Sequence, residues 1–343
     1  MNVEEILNEH LEMIDREIKE VFRGHDFPEP LYAMMKYHLG WLDEDLRETS
    51  QYRGKRFRPT ICLLTYKALS GVYTKALPAA AAIELIHNFS LIHDDIEDMD
   101  EERRHKPTVW KLWGIPQAIN VGDGMHVMAN LAALQLKDAN VTSQKIVEIL
   151  AILNRTIMRL CEGQYLDMSF EEATDVTVDM YLDMVSRKTG ALIEASTLVG
   201  ASLATEDEGL IGHFRDFGKN IGIAFQIRDD IIGIWGEKGK AGKPIGSDIL
   251  RKKKTLPVLY AFQKAGRQDR QVLRGIYGKK RPTKGDVGKV LRVLERAGAK
   301  KYSQGVAERF EALAFKDLKV IRLRNASMEK LGALANFLVR RSF

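Results

Sequence analysis

Apolar residues recur at steps of three or four along much of this chain, and this period constrains the fold more than any other feature. Near the N-terminus the repeat consists of Val3, Leu7, Leu11, Ile14, Ile18 and Phe22. Such spacing is typical of an amphipathic helix with one buried face. Further helices are predicted over residues 79–99, 180–204, 210–235, 255–265 and 287–297. Because no segment alternates as a β-strand does, the sequence predicts an all-α fold.

The chain is long enough to bury a large core, since 45% of its 343 residues are hydrophobic. Its loops are short and none resembles a flexible linker, so we expect a single domain over residues 1–343. No run of 18 apolar residues occurs, and we expect no membrane span. The acidic N-terminus indicates no targeting segment. Cys62 and Cys161 lie far apart and are expected to be buried thiols of a cytoplasmic protein.

The net charge of +5 is compatible with binding to nucleic acid, anionic lipid or phosphorylated substrates. The positions of the basic residues are more informative than their number. Several lie beside acidic motifs, as a phosphate site bridged by metal requires. Nucleic-acid binding at residues 251–254 or 279–281 is disfavoured, because no aromatic residues are interleaved with these basic runs.

The first acidic motif, Leu91–Asp100, ends an apolar predicted helix. Asp94 and Asp98 are four residues apart and project from the same helix face, where like charges repel unless a cation lies between them. Carboxylates of this kind suit magnesium, which often bridges them to substrate phosphates. By itself, a solvated acidic helix end explains the motif equally well. The following Arg103 and Arg104 form either weak surface ion pairs or the other half of a diphosphate clamp.

A second acidic motif, Phe225–Gly233, places another adjacent pair, Asp229 and Asp230, in an apolar predicted helix. Buried carboxylates need partners, and a metal ion would serve both motifs. The chain thus carries D-D-x-x-D, then R-R-x-x-P-T, then G-x-x-x-Q-x-x-D-D, in that order. This series resembles the trans-type, head-to-tail isoprenyl diphosphate synthases.

Other elements of that family follow in the same order, over residues 5–340. They comprise Gly54–Pro59, Gly163 and Gln164 with Asp167, Lys188 and Thr189, Lys243, and Lys253. The resemblance implies an all-α bundle of the isoprenoid-synthase type around a central apolar cavity, and a homodimer. It also implies that the chain joins isopentenyl diphosphate to an allylic diphosphate. The implied cofactor is magnesium, three ions per active site, for which manganese can substitute.

By matching position, the resemblance assigns each diphosphate its own residues. The magnesium ligands would be Asp94, Asp98 and Asp229. The supporting residues behind them would be Asp95, Asp230, Gln164 and Asp167. The residues that hold isopentenyl diphosphate would be Lys55, Arg58, His87 and Arg104. The residues that hold the allylic diphosphate would be Arg103, Lys188, Thr189, Gln226, Lys243 and Lys253. The residues that act most directly in the reaction would be Asp94, Asp95, Asp98, Lys188 and Asp229.

Two positions depart from the family pattern. Gly233 stands where many relatives carry a third aspartate, so the second motif offers one fewer ligand. We expect little effect, since Asp229 is the more direct ligand. Arg53 precedes Gly54 where a second glycine is commoner, and we expect this difference to alter only the local conformation of the loop.

Product length is predicted from the residues just before Asp94. Ser90 is small and would not block a growing chain, whereas Phe89 is bulky, and no insertion interrupts the first acidic motif. This combination resembles family members that make the twenty-carbon geranylgeranyl diphosphate. If Phe89 is ordinary core, Ile86 or Ile83 would form the floor, and a fifteen-carbon farnesyl product becomes the alternative.

Two other functions fit parts of the pattern. A class I terpene cyclase shares D-D-x-x-D and an all-α fold, but residues 229–233 do not match its usual second motif. It would also have no use for Lys55 and Arg58. A non-catalytic regulatory subunit typically loses its acidic motifs, and both are intact here.

Overall fold

The computed structural model of the protein describes residues 2–25, 28–51, 53–236 and 246–340. In chain order its α-helices are α1 (Val3–Phe22), α2 (Glu29–His38), α3 (Phe57–Ser70), α4 (Leu77–Glu97), α5 (Val109–Trp113), α6 (Ile115–Leu134), α7 (Ser143–Glu172), α8 (Val178–Val185), α9 (Ala191–Ala204), α10 (Glu208–Trp235), α11 (Ser247–Leu250), α12 (Leu256–Lys264), α13 (Arg267–Tyr277), α14 (Lys284–Arg296), α15 (Ala299–Val320) and α16 (Ala326–Val339). Short 3₁₀ turns occupy Thr74–Ala76 and Gln135–Lys137, and Ser186–Gly190 is π-helical. Within the described ranges, no helix combines the length and apolarity needed to cross a membrane.

The chain forms two compact units, each assembled from segments that are distant in sequence. The first unit comprises Met1–Met158, Ala195–Arg215 and Ile321–Leu334. The second comprises Arg159–Glu194, Asp216–Val320 and Ala335–Phe343. The single domain expected over residues 1–343 stays a prediction.

Helix α4 lies in the core of the first unit, where it packs against α1, α3 and α6. Every residue from 79 to 86 is buried, because all of them except Glu84 are alanine, isoleucine or leucine. The alanines let neighbouring helices approach closely, and burial of each larger side chain contributes about 1.5–3 kcal/mol. A well-packed helix therefore carries the first acidic motif at its C-terminal end.

Helix α10 has the corresponding role in the second unit. Its residues Ile227 and Ile231 are fully buried and belong to one apolar cluster with Leu256 of α12. Tyr260 of α12 stacks on Tyr302 of α15, with ring centroids 3.8 Å apart. The apolar face of α10 thus fixes the segment that carries the second acidic motif.

The structure confirms the all-α prediction and the predicted helices, except that the one over residues 180–204 is interrupted. The helix predicted from residue 287 begins three residues earlier, at Lys284, because a capping box precedes it. The Thr283 hydroxyl accepts a hydrogen bond from the Asp286 N–H, and the Asp286 carboxylate accepts one from the Thr283 N–H. Such reciprocal caps satisfy two backbone donors at a helix start.

Two local features were not predicted. A short hairpin pairs β1 (Glu102–Arg103) with β2 (Lys106–Pro107), and its two turn residues, Arg104 and His105, have φ values of 55° and 61°. Two consecutive left-handed residues suit a tight hairpin, although Asn-Gly usually supplies them. The second feature is the π-helical segment, which interrupts the helix predicted over residues 180–204.

The two cysteines differ in exposure. Cys62 is buried, as expected, whereas Cys161 is exposed, so the expectation of two buried thiols was wrong for Cys161. The reason is its position on α7, where it shares an outward face with the exposed Met158 and Tyr165.

Candidate active site

A buried arginine holds the basic loop that precedes α3. Arg56 is the N-cap of α3 and has a φ of 48°. Its Nε donates to Asp15 of α1 and its Nη1 to Glu84 of α4, both at 2.8 Å. Its Nη2 donates to the carbonyl of Leu39 at 3.1 Å. These charge-assisted bonds offset the cost of the left-handed conformation and fix the loop on either side of Arg56.

The first unit brings together two residues predicted to hold isopentenyl diphosphate. Arg58 Nη1 lies 3.1 Å from His87 Nε2, which joins α3 to α4. Burial, reinforced by the Arg58 charge, lowers the pKa of His87 well below its usual range. The ring is therefore neutral at pH 7, and its Nε2 accepts from Arg58. Lys55, in the same basic loop, is exposed.

Arg104 packs against the backbone of this loop. A Cβ on Gly54 would lie 2.9 Å from Arg104 Nη2, so the glycine leaves room for the guanidinium. Burial lowers the pKa of Arg104 to about 10, and its Nη1 has no hydrogen-bond partner among the described residues. A half-buried cation with a buried, unused donor is costly unless an anion completes it. This arrangement suits a diphosphate group.

His38 is a further buried polar residue of this region, and no sequence motif pointed to it. The backbone carbonyls on either side of it accept from Lys106 Nζ and Arg56 Nη2. Burial, followed by the nearby charge of Arg104, lowers the pKa of His38 well below its usual range. Its Nε2 has no partner in the described part of the chain. His38 is therefore a neutral polar group close to the cations of the first unit.

The first acidic motif lies at the C-terminal end of α4. Asp98 is the C-cap of the helix, and its N–H donates to the Asp94 carbonyl. Arg103 Nε donates to Asp95 Oδ1 at 2.7 Å, and Arg103 Nη2 lies 3.5 Å from Asp94 Oδ2. Burial raises the pKa of Asp95 to about 7, against the opposing effect of Arg103. Arg103 thus pairs with the aspartates here, and its contact with the allylic diphosphate stays a prediction.

In the second unit, Asp230 is buried and both of its oxygens are hydrogen-bonded. Asp230 Oδ2 accepts from Tyr181 Oη at 2.6 Å and from the Leu256 N–H at 3.3 Å. Asp230 Oδ1 accepts from Gln226 Nε2 at 2.9 Å, and Gln226 Oε1 accepts from Thr189 Oγ1 at 2.8 Å. Burial raises the pKa of Asp230 to about 7. These bonds are compatible with the supporting role predicted for Asp230, and Tyr181 is a partner that no motif marked.

The π-helical segment presents Lys188 and Thr189. Two glycines from neighbouring helices allow it to pack closely. A Cβ on Gly163 of α7 would lie 2.3 Å from the Lys188 nitrogen. A Cβ on Gly222 of α10 would lie 2.6 Å from the Gly190 Cα. Because π turns in helices frequently accompany functional sites, this local geometry supports the roles predicted for the two residues.

Asp167 lies beside two of the predicted lysines. Its Oδ2 is 2.5 Å from Lys188 Nζ and 3.9 Å from Lys253 Nζ. The structure thus brings these three residues together. Gln164, one turn earlier on α7, is half-buried, and Lys243 lies outside the described residues.

The second acidic motif has an unpredicted neighbour at Gly233. A Cβ at this position would lie 2.1 Å from Asp248 Oδ2. The carboxylate of Asp248, on α11, therefore covers the backbone of α10 one turn after Asp229. Asp229 itself is half-buried.

Comparison with known proteins decides the family. The sequence pattern described as polyprenyl synthetase matches residues 40–294. The chain belongs to the polyprenyl synthetase family. The short chain isoprenyl diphosphate synthase of Methanothermobacter thermautotrophicus is 38% identical over 344 residues, 99% of each chain. The geranylgeranyl pyrophosphate synthase of Geoglobus acetivorans is 38% identical over 339 residues, again 99% of each. The solved geranylgeranyl pyrophosphate synthetase of Pyrococcus horikoshii has a TM-score of 0.88 and 36% identity, covering 99% of this chain and 98% of that one.

The donors in this polyprenyl synthetase fit a divalent metal. Asp95 Oδ2 is a buried carboxylate oxygen without a partner among the described residues. In the described ranges, no three carboxylate, histidine or cysteine side chains cluster closely enough to hold a metal alone. This donor set suits magnesium, which takes one or two carboxylates and completes its shell with water and substrate phosphates.

The predicted product-length residue of this polyprenyl synthetase lies in an aromatic cluster between α4 and α6. Phe89 is buried, with its ring centroid 5.0 Å from His126 and 6.0 Å from His93. A Cβ on Gly122 would lie 2.2 Å from His93 Nε2, so α6 approaches closely at this level. His126 was not predicted, because its contact with Phe89 depends on how the two helices pair.

Proposed function

We propose that this chain is a magnesium-dependent trans-prenyltransferase that condenses isopentenyl diphosphate with allylic diphosphates. One observation carries the proposal: each of the two units holds one aspartate pair and, among its described residues, its own set of cationic side chains. In the first unit these are Arg58 and Arg104. In the second unit they are Lys188 and Lys253. Two separate cation sets are what two diphosphate substrates require, and family membership supports the same assignment.

The proposed magnesium ligands are Asp94, Asp98 and Asp229. By family resemblance we assign three magnesium ions, with manganese as a substitute. When bound, the metal supplies positive charge that stabilises the departing diphosphate. Asp95 and Asp230, both buried and bonded to neighbouring side chains, orient the groups around the ligands.

In the proposed reaction, the allylic C–O bond breaks and its electron pair leaves with the diphosphate. Lys188, Thr189 and Lys253 hold this leaving group. Arg58 and Arg104 hold isopentenyl diphosphate, so that its double bond reaches the allylic carbon and forms the new C–C bond. Loss of a proton to the released diphosphate then restores a double bond. The protein positions both substrates and excludes water, and no covalent nucleophile is required.

The test is to incubate the purified chain with isopentenyl and dimethylallyl diphosphates and to analyse the dephosphorylated products by chromatography. We expect all-trans products that require magnesium. Asp94→Asn and Asp229→Asn should each lower turnover by orders of magnitude with an unchanged helical circular dichroism spectrum, whereas the exposed Asp179→Asn should not. Near-normal turnover in chelator would overturn the metal assignment, and the absence of any product would overturn the proposed function.

We propose geranylgeranyl diphosphate as the main product. Successive helical residues are about 100° apart, so Ser90 projects about 40° from Asp94 and Phe89 about 140°. Ser90 is half-buried and small, so a chain growing along α4 from Asp94 passes it. The Phe89 ring, held by His126, then forms the floor. If Ile86 forms the floor instead, farnesyl diphosphate becomes the main product.

We also propose that the chain forms a homodimer through α6 and the first half of α7. Large apolar residues on these helices are exposed in the single chain: Val127 is 57% exposed, Val147 65% and Met158 60%. Asn154 of α7 donates to Asn130 of α6 at 2.9 Å, which makes the two outward faces one surface. Contiguous exposed apolar area of this kind is typical of protein interfaces.

We further propose a cytoplasmic location. Cys62 and Cys161 form no disulfide within the described residues, and thiols of this kind are usual in a reducing compartment.

A further inference from the structure

A strongly basic part of the chain lies in the second unit, and the proposed reaction does not use it. Residues 264–296, here called the basic segment, contain eleven lysines and arginines and only three acids, an excess of eight positive charges. The whole chain has a net charge of +5. The remaining residues together are therefore net negative, and the positive charge of the protein is concentrated in the basic segment.

The basic segment folds as two packed helices, α13 and α14, joined by residues 278–283. Leu273 and Ile276 of α13 and Val290 of α14 are buried in one apolar cluster. All eleven lysines and arginines of the segment are exposed. The apolar sides of the two helices thus form core, and the cationic side chains lie on the outer side of the helix pair.

Ion pairs within the basic segment use few of these cations. Asp286 is buried and accepts from Lys279 Nζ at 2.7 Å. Asp269 Oδ2 accepts from Arg296 Nε at 3.0 Å. In the part of the chain that the structure describes, the other nine lysines and arginines of the segment form no ion pair. Their charge is available to an external anion.

The available cations are arranged along a surface. Arg267, Arg270 and Arg274 of α13 are three and four residues apart, so they lie within about 60° of one another around the helix. Lys280 and Arg281 follow in the loop and extend the positive charge to the end of the helix pair. This distribution suits an extended anionic surface better than one small anion.

The aromatic content of the basic segment distinguishes between two extended anions. Tyr277 is its only aromatic residue, and Tyr277 is buried against Phe262, with ring centroids 5.6 Å apart. Single-stranded nucleic acid is usually bound with bases stacked on aromatic side chains, which the basic segment does not offer. An anionic bilayer needs only positive charge, and clusters of four to eight lysines and arginines on a helix are typical of proteins that bind one.

We propose that the basic segment docks the protein on the surface of a lipid bilayer that contains anionic lipids. The contact is electrostatic and does not insert, because the apolar sides of α13 and α14 are already buried in the protein. Val272, 37% exposed, is the only large apolar side chain of the segment that is exposed. Salt therefore screens the contact. A bilayer dissolves hydrocarbon chains, so docking would release the proposed prenyl product beside a phase that takes it up.

The test measures binding of the full chain to vesicles by sedimentation, without any reaction. Vesicles of equal parts phosphatidylcholine and phosphatidylglycerol should bind the chain at low salt and release it at high salt. Vesicles of phosphatidylcholine alone should not bind it. Equal binding to both kinds of vesicle, or no binding to the anionic ones, would overturn the inference.

Two variants with the same change in net charge locate the contact. The test variant reverses four exposed cations of the basic segment: Arg267→Glu, Arg274→Glu, Lys280→Glu and Arg281→Glu. The control reverses four exposed cations of other segments: Arg16→Glu, Lys137→Glu, Lys316→Glu and Lys319→Glu. With unchanged circular dichroism spectra, the test variant should bind anionic vesicles at least about 100-fold more weakly than the wild type, and the control much as the wild type does.

Equal binding by the two variants would show that only the net charge matters and would overturn the inference. Tighter binding of the wild type to a single-stranded RNA than to anionic vesicles, at the same salt concentration, would overturn it in favour of nucleic acid. The inference goes beyond the proposed function and is tested apart from it. A chain that makes no prenyl product but binds vesicles in this pattern would contradict the function and support the docking surface.

Discussion

Arg56 illustrates how one residue can hold a site that it does not enter. It is fully buried, and its charge is balanced by Asp15 and Glu84. Removing one partner of a buried ion pair leaves an uncompensated charge, which typically costs about 3–5 kcal/mol. The basic loop therefore depends on carboxylates from α1 and α4 that make no predicted contact with substrate.

We predict that Glu84→Gln lowers the free energy of unfolding by about 3–5 kcal/mol, because the Arg56 charge loses one of its two carboxylates. Urea denaturation measures the change. The control is Glu12→Gln, which removes the exposed partner of Arg53 and should change stability by less than about 1 kcal/mol. Equal effects of the two substitutions would show that burial does not strengthen the Arg56 network.

We predict that the two diphosphates use different cations. Lys55→Ala should raise the Michaelis constant for isopentenyl diphosphate more than that for the allylic substrate. Lys188→Ala should do the opposite, because Lys188 lies in the π-helical segment of the second unit beside Asp167. Steady-state kinetics with each substrate varied in turn measures both constants. If each variant raises the Michaelis constants for both substrates equally, the assignment of Lys55 and Lys188 to different substrates is wrong.

Residues that belong to a motif could be predicted, and their contacts are consistent with the assigned roles. The pairing of Arg58 with His87 and of Thr189 with Gln226 joins residues that the family pattern assigns to the same substrate. Tyr181 could not be predicted in this way. Its hydroxyl reaches Asp230 across 49 residues of sequence, and such a contact depends on tertiary packing.

At the scale of elements, the helical period of apolar residues was sufficient to predict α4 and α10, because their apolar faces coincide with their buried faces. The β1–β2 hairpin was missed because its turn residues, Arg104 and His105, are not the Asn-Gly or Asp-Gly pair that usually marks a two-residue turn. The turn is nevertheless formed where Lys106 and Pro107 contact Tyr37 of α2. Tertiary contacts thus override local propensity at the point where Arg104 must face the basic loop.

Helix α4 leads to a prediction about product length. Ser90→Phe should shorten the products towards farnesyl diphosphate, because the new ring would lie about 40° from Asp94 on the same helix face. Phe89→Ala should lengthen the products by about one five-carbon unit, since one helical turn rises about 5.4 Å. The Ser90 variant should have the larger effect, because His126 remains when Phe89 is removed. Chromatography of dephosphorylated products measures both, and unchanged distributions in both variants would exclude a floor at this level.

At the scale of the whole molecule, the exposed apolar surface of α6 and α7 predicts self-association. In sedimentation equilibrium the wild type should have twice the 38.9 kDa mass of the chain. Val127→Glu and Met158→Glu should each produce monomers, because a buried unpaired charge opposes association. The matched control is Val72→Glu, which places the same charge at a residue 54% exposed outside these helices. A monomeric wild type, or dimers in both interface variants, would contradict the proposed surface.

The π-helical turn at Ser186–Gly190 limits how the length of this protein can change during evolution. A π turn holds more residues than an α turn, so deleting a single residue here would restore α geometry. The segment would then lose the local bulge that sets the positions of its side chains. Lys188 would lose its contact with Asp167, although the sequence would still contain both residues. Single-residue deletions should therefore be excluded from this segment in active relatives, while the loop before α14 tolerates them.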